Sequence, residues 1–282
     1  MIQMEYAIRD NRLLHISEVE SGLKCRCHCP ACGDALIARK GKVKAHHFAH
    51  RNSDCAHGVE SALHIMAKEI LEEERKLFLP EVAIQLPHYN DYKAVLYKNG
   101  LMEFDSVTLE KRYQGIVPDI LVSKGNRRLI VEIYVTHKVD GQKLALIKDS
   151  CTSAIEIDLS IFEQMPSREE LRDILINHDG FKMWLYHKKR DFYLEKWRSL
   201  CEEMPSILHG WVIHVANCPL KKRHWQGRHY ANLCDDCWHC DYYFWNRCDE
   251  KGNETGILCA GKNNIKTLED LKEYIHKRQR GL

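Results

Sequence analysis

Val117-Pro118-Asp119-Ile120-Leu121-Val122-Ser123-Lys124-Gly125-Asn126-Arg127-Arg128-Leu129-Ile130-Val131-Glu132-Ile133-Tyr134-Val135 holds two β-rich runs around a turn. Ile, Leu and Val dominate 119–124 and 128–136, Gly125-Asn126 is turn chemistry, and the whole reads as a hairpin. It carries two acids. Asp119 opens the first strand, and Glu132 lies inside the apolar run 129–133, where a carboxylate is costly unless it is paired or holds a metal. Two carboxylates on adjacent strands suit one or two divalent cations, and hard oxygen donors select Mg2+ or Mn2+. Such ions activate water and stabilise a leaving oxygen in phosphodiester cleavage. A lone strand acid is more often an edge-exposed charge, so the spacing alone leaves both readings open.

Working outward, Val59, Ala62, Leu63, Met66 and Ile70 recur at helical spacing and predict a helix over 59–76. Glu60 and His64 sit one turn apart on it, share a face, and are within reach of the hairpin acids. Strands are expected at 82–86 and 102–109, a helix at 140–150 and a strand at 154–159. Helix, hairpin, helix and strand in that order make an α/β or α+β sheet domain. Ser167, followed by Glu169 and Glu170, opens a helix to Asn177; another is expected at 190–201 and a strand at 211–215. These elements divide the chain into a zinc module (1–57), a sheet core (58–165), a helical connector (166–205) and a Cys-rich module (206–282). All six Trp fall after residue 180, a composition shift that supports a boundary near there.

The 282 residues include 13 Cys and 17 His at a net charge of only +2. No apolar run approaches the roughly 20 residues that span a bilayer, which excludes a membrane protein. The first ten residues lack the apolar core of a signal peptide. An odd cysteine total then argues for a reducing, cytoplasmic setting in which clustered Cys and His are metal ligands. Near-neutral charge excludes a chain that binds nucleic acid by overall electrostatics; local patches must do it.

Cys29-Pro-Ala-Cys32-Gly33 is a metal knuckle, two thiolates gripping one ion with a glycine for the tight turn. His47-Phe-Ala-His50 completes a set of two cysteines and two histidines for tetrahedral Zn2+, structural because all four positions are filled by protein. Cys25, Cys27, His28, His46, Cys55 and His57 lie near enough in sequence to substitute. Seven Lys and Arg against two acids make 21–58 basic, equally a phosphate patch or a solvated face. In the second cluster, Cys218, Cys237, Cys240 and Cys259 are the preferred zinc set, with Cys234 the alternate to Cys259. The overlapping pairs 234/237 and 237/240 keep that assignment open. Lys221, Lys222, Arg223 and Arg228 interleave there with His224, Trp225 and Tyr230, which suits base stacking with phosphate contact or simple packing of a zinc-stapled core.

The order C-P-x-C-G, a basic stretch, H-F-A-H, Glu60-Ser-Ala-Leu-His64 opening a helix, then P-D-I-L-V and V-E-I resembles the competence-protein CoiA-like family over roughly residues 20–160. That family is similar to PD-(D/E)XK nucleases fronted by a zinc finger. The resemblance implies a restriction-endonuclease-like mixed sheet with flanking helices, flanked here by N-terminal and C-terminal zinc modules. It implies that Glu60, Asp119 and Glu132 bind Mg2+ or Mn2+. The residue two after the glutamate, Lys or Gln in the superfamily, is Tyr134 here. His137, Lys138, Lys143 or Lys68 must then supply the cation, and His64 joins the site from the helix.

The expected function is therefore a metal-dependent DNA nuclease with two structural zincs. Its partner would be single- or double-stranded DNA, with a homo-oligomer or protein partner also expected. The competing expectations are a nuclease-fold DNA-binding or adaptor protein that has lost its chemistry, favoured by Tyr134, and an RNase. Processing of incoming DNA, in competence or in defence against phage, is what the resemblance implies for its place in the cell.

Overall fold

The 117–135 stretch is a hairpin at the middle of a five-stranded sheet in the computed structural model of the chain, which describes residues 3–51, 55, 57–86, 92–162, 164–252 and 254–280. The chain forms two compact units. One comprises residues up to Glu81 with Asn99–His187, the other Val82–Lys98 with the residues from Lys188 onward. The whole is a mixed α+β structure with several sheets.

In the first unit the sheet order is Lys182–Tyr186, Ser153–Asp158, Arg127–Tyr134, Ile120–Lys124, Ser106–Leu109. All neighbours are antiparallel except Arg127–Tyr134 with Ser153–Asp158. A parallel pair cannot be joined by a tight turn and needs a crossover. Before the sheet comes helix α1 (Gly58–Glu74), and the crossover itself is helix α2 (Gly141–Asp149). Ala62, Leu63, Met66, Ala67, Ile70 and Leu71 of α1 are buried against Ile120, Val122, Leu129, Val131 and Ile133. Helix α3 (Arg168–Asn177), opened by a capping box between Ser167 and Glu170, adds Leu171 and Leu175 to the same core. On the opposite face Ile147 of α2 meets Ile116, Ile130 and Ala154. Strand period two therefore sends Leu129, Val131 and Ile133 to the α1 core, and puts Glu132 with Ile130 on the α2 side.

The N-terminal part of this unit holds the hairpins Tyr6–Arg9 with Arg12–His15 and Leu36–Arg39 with His47–His50. They surround a small core of Ala7, Ile16, Val19, Leu36 and Phe48 that includes Cys25 and Cys27. Two elements differ from expectation. The expected strand over 102–109 is two strands, Gly100–Glu103 pairing Lys76–Leu79 and Ser106–Leu109 pairing Ile120–Lys124. The break falls at Phe104, which is buried, and at Asp105, whose carboxylate accepts from Gly125 N in the hairpin turn. Residues 166–205, expected as a connector, are divided between the units because α3 and the next helix each bury an apolar face in a different core.

In the second unit helix α4 (Lys188–Ser199) buries Trp197 among Ile84, Leu86, Leu200, Phe244 and Leu271, the last from helix α5 (Leu268–Gln279). Burial of Ile84 and Leu86 against that indole explains why Val82–Gln85 and Lys93–Tyr97, a hairpin in mid-chain, belong here. A six-stranded antiparallel sheet follows, in the order Arg223–Trp225, Arg228–Asn232, Val212–Ala216, Glu202–His209, Glu254–Cys259, Tyr243–Cys248. Among the described residues no helix is long and apolar enough to cross a membrane.

Candidate functional site

The hairpin register pairs Ile120 with Val131, and one step further it sets Asp119 opposite Glu132. Asp119 is held there by Ile133 N, which donates to its Oδ2 at 2.9 Å. Glu132 is 2 % exposed. Its Oε2 accepts from Lys143 Nζ on α2 at 2.7 Å, and its Oε1 is buried with no hydrogen-bond partner. Burial pushes the Glu132 carboxyl up to about 7; Lys143 opposes that rise and the Asp119 charge adds to it.

Helix α1 closes the site from the side with three residues spaced one turn apart. Glu60 accepts from Thr136 Oγ1 and lies 3.2 Å from His57 Nδ1, and these bonds hold its carboxyl below the ordinary range against partial burial. His64 Nδ1 is 3.9 Å from Asp119 Oδ2, and burial lowers the His64 pKa although Asp119 opposes this. Lys68 Nζ lies 2.7 Å from Glu110 Oε1 and 3.5 Å from Asp119 Oδ1. Glu60, His64, Asp119 and Glu132 thus line one end of the sheet. Tyr134 and His137 are placed differently. The Tyr134 ring lies 5.2 Å from Lys138 Nζ and His137 is exposed, so the ammonium on Glu132 comes from Lys143.

Sequence reasoning missed Glu156. It is buried, pairs in parallel register with Glu132, and its Oε2 accepts from Val139 N at 2.9 Å, which ties down the entry to α2. Asp140 caps α2 by accepting from Lys143 N at 2.7 Å, fixing the start of the helix that delivers Lys143. An acid inside the run Ile155-Glu156-Ile157 is the same signal that exposed Glu132.

Glu132 keeps one buried carboxylate oxygen without a hydrogen-bond partner beside Asp119, and an unmet oxygen in a dry site costs free energy that a bound cation can recover.

In the N-terminal module the structure gathers Cys29, Cys32, His50 and Cys55, with their ligand atoms within 4.8 Å of one another. Cys32 Sγ is 3.4 Å from His50 Nε2, close to the edge of about 3.5 Å that a zinc tetrahedron with one sulfur and one nitrogen would have. A set of three cysteines and one histidine is soft enough to select zinc, so the residues fit the ion. His47 is not in the group; its Nδ1 lies 2.9 Å from Ala45 O. The reason is parity. His47 and His50 lie three apart on one strand, and alternation sends them to opposite faces. Phe48 and His50 share the inner face, and Cys55 completes the set. Cys25 and Cys27 are core residues whose thiols donate to Leu36 O and Cys25 O. Gly33 adopts φ +76° and donates its N–H to Cys29 O, closing the knuckle turn.

Residues 15–58 match the N-terminal domain of competence protein CoiA. The matched stretch contains all four clustered ligands, and it supports the CoiA resemblance for the zinc module. It ends before α1 delivers Glu60, so the carboxylate site lies outside it. No curated protein and no solved structure matches the chain.

In the second unit Cys218, Cys237, Cys240 and Cys259 line one cavity, whereas Cys234 is exposed and does not reach it.

Proposed function

We propose that the chain is a Mg2+- or Mn2+-dependent nuclease that hydrolyses phosphodiester bonds in DNA, with a core of the PD-(D/E)XK kind. The observation that carries this reading is Asp119 opposite Glu132, with one buried Glu132 oxygen left unpartnered and the other on Lys143. Asp119 and Glu132 would hold the cation, with Glu60 on the neighbouring wall. A bound divalent ion supplies Lewis acidity toward the phosphoryl oxygens and makes water a nucleophile at neutral pH. Lys143 Nζ keeps a positive charge beside Glu132, where the superfamily lysine would place it, although it arrives from α2 instead of the strand. Such a fixed charge stabilises the charge that develops on phosphorus oxygens. His64, held neutral by burial, offers an imidazole nitrogen that can take or give a proton beside Asp119. Pro118 sets the backbone entering the strand, so that Asp119 reaches the sheet end in a fixed orientation. The CoiA match at residues 15–58 supports placing the substrate among DNA that enters the cell, in competence or in defence against phage.

One observation favours a second reading. Lys68 on Asp119 and Lys143 on Glu132 can neutralise the carboxylates without a metal, as in a DNA-binding protein that has lost its chemistry. Incubation of zinc-loaded protein with linear, circular and single-stranded DNA in Mg2+ or Mn2+ separates the two. The nuclease cleaves at least one substrate, loses activity in Asp119→Ala, and loses about 100-fold or more in Lys143→Ala. Binding without cleavage, unchanged by either substitution, would establish the binder.

A further inference from the structure

We infer that Cys218, Cys237, Cys240 and Cys259 form a second structural zinc site, a centre of four thiolates in the second unit, independent of the site in the CoiA-type module. The four thiols come from three segments far apart in sequence. Cys218 follows the Val212–Ala216 strand, Cys237 and Cys240 frame the turn after the helical turn Leu233–Cys237, and Cys259 ends the Glu254–Cys259 strand. All four line a single small cavity and belong to one cluster with Met204, Val215, Ala231 and Ile257.

Each segment has knuckle geometry. Cys240 N donates to Cys237 O at 2.9 Å and Lys221 N to Cys218 O at 3.0 Å, so both loops turn back tightly after the thiol. Gly261 N donates to Cys259 Sγ at 3.4 Å, an amide-to-sulfur bond of the kind that stabilises a metal-bound thiolate. A Cβ on Gly261 would stand 2.7 Å from Pro219 Cγ and 3.3 Å from Cys259 Sγ. Glycine at that position therefore lets the Cys259 loop close against the Cys218-Pro219 loop. Nothing in an apolar cluster of four reduced thiols requires three separate turns to bring cysteines to the wall of one cavity, whereas tetrahedral thiolate coordination does. The soft four-sulfur donor set selects Zn2+ over the hard cations that suit Asp119 and Glu132.

The neighbouring cysteines mark the limits of the site. Cys234 and Cys248 are exposed and line no part of the cavity, so the 234/237 spacing is not the zinc pair. The second unit has its sheet and a small core around these sulfurs, and a closed zinc site stabilises such a module directly on folding.

Metal content of the purified full chain tests the inference, with a readout independent of nuclease activity. Two zincs per chain are expected. Cys237→Ser with Cys240→Ser should bring the count to one, as should Cys29→Ser with Cys32→Ser, while Cys234→Ser with Cys248→Ser should leave two. Because the first double variant can also fail by unfolding, thiol alkylation of the unsubstituted protein gives a second measurement. Cys218, Cys237, Cys240 and Cys259 should resist alkylation together until a zinc chelator is added and then react together, while Cys234 and Cys248 react from the start. Two zincs per chain retained after loss of Cys237 and Cys240, or a single zinc in the unsubstituted protein that this loss leaves unchanged, would overturn the site. So would iron in place of zinc, or an alkylation pattern that the chelator does not change.

Discussion

At the scale of single residues, Glu132 stood out in the sequence because burial makes a charge in an apolar strand expensive, and the fold does bury it, with half-buried Asp119 held beside it by Ile133 N. The cation beside Glu132 was harder to read. Tyr134 occupies the usual position, and only the fold shows that α2 runs back over the strand so that Lys143 Nζ reaches Glu132 at 2.7 Å. The histidines of the zinc module show the opposite case. The pattern His47-Phe-Ala-His50 suggests two ligands, yet a strand turns residues three apart to opposite faces, and Cys55 takes the place expected of His47. His47→Ala should therefore keep its zinc at the N-terminal site, and Cys55→Ser or His50→Ala should lose it. Zinc per chain, measured in each variant on a background lacking Cys237 and Cys240, checks this; loss of zinc in His47→Ala alone would return His47 to the ligand set.

At the scale of elements, helix α1 was readable from its apolar spacing, and Ala62, Leu63, Met66 and Ile70 are the residues that meet the sheet. The 119–135 hairpin followed from its turn and its β-branched runs. The allegiance of the Val82–Gln85 hairpin was not readable, because nothing local says that Ile84 will pack on Trp197, more than 100 residues away. The sheet of the second unit joins two of the rings that the sequence had placed among cations, Trp225 and Tyr230, to His209 and His214, which the sequence did not single out. His214 and Tyr230 stack with centroids 4.4 Å apart, His209 and His214 stack at 4.9 Å, and His209 meets Trp225 edge-on at 5.2 Å. Exposed Lys221, Lys222 and Arg228 lie on the neighbouring loop and strand. Arg223 is engaged by Asp236 and does not add to that free charge. A row of solvent-accessible rings beside cations suits bases of a single strand. Trp225→Ala and His214→Ala should each weaken binding of a short oligothymidylate about 10-fold in a fluorescence-anisotropy titration, with salt dependence retained. Equal affinity in both variants would show that the rings serve only the sheet.

At the scale of the whole molecule, a net charge of +2 hides separate chemistries. Soft sulfur and imidazole donors collect in the N-terminal module and, by our inference, in the second unit, while hard carboxylates collect at the end of the central sheet. In the proposed function softness sorts the metals, zinc to scaffolding and Mg2+ or Mn2+ to chemistry. The cysteine-rich composition thus points to stability, and the catalytic assignment rests on Asp119, Glu132 and Glu60 with Lys143 beside them. The family match at residues 15–58 covers the zinc module and stops before the carboxylates, although both belong to the same unit. The central claim is that Glu132 holds a divalent cation for phosphodiester hydrolysis, and Glu132→Gln keeps the size of the side chain while removing the charge. Cleavage of DNA by zinc-loaded full chain across a Mn2+ titration, run in parallel for the unsubstituted protein and Glu132→Gln, is the direct measurement. The account predicts Mn2+-dependent cleavage by the first and none by the second, with both equally folded and equally zinc-loaded. Cleavage by Glu132→Gln at the unsubstituted rate, or no cleavage by either at any Mn2+ concentration, would contradict it.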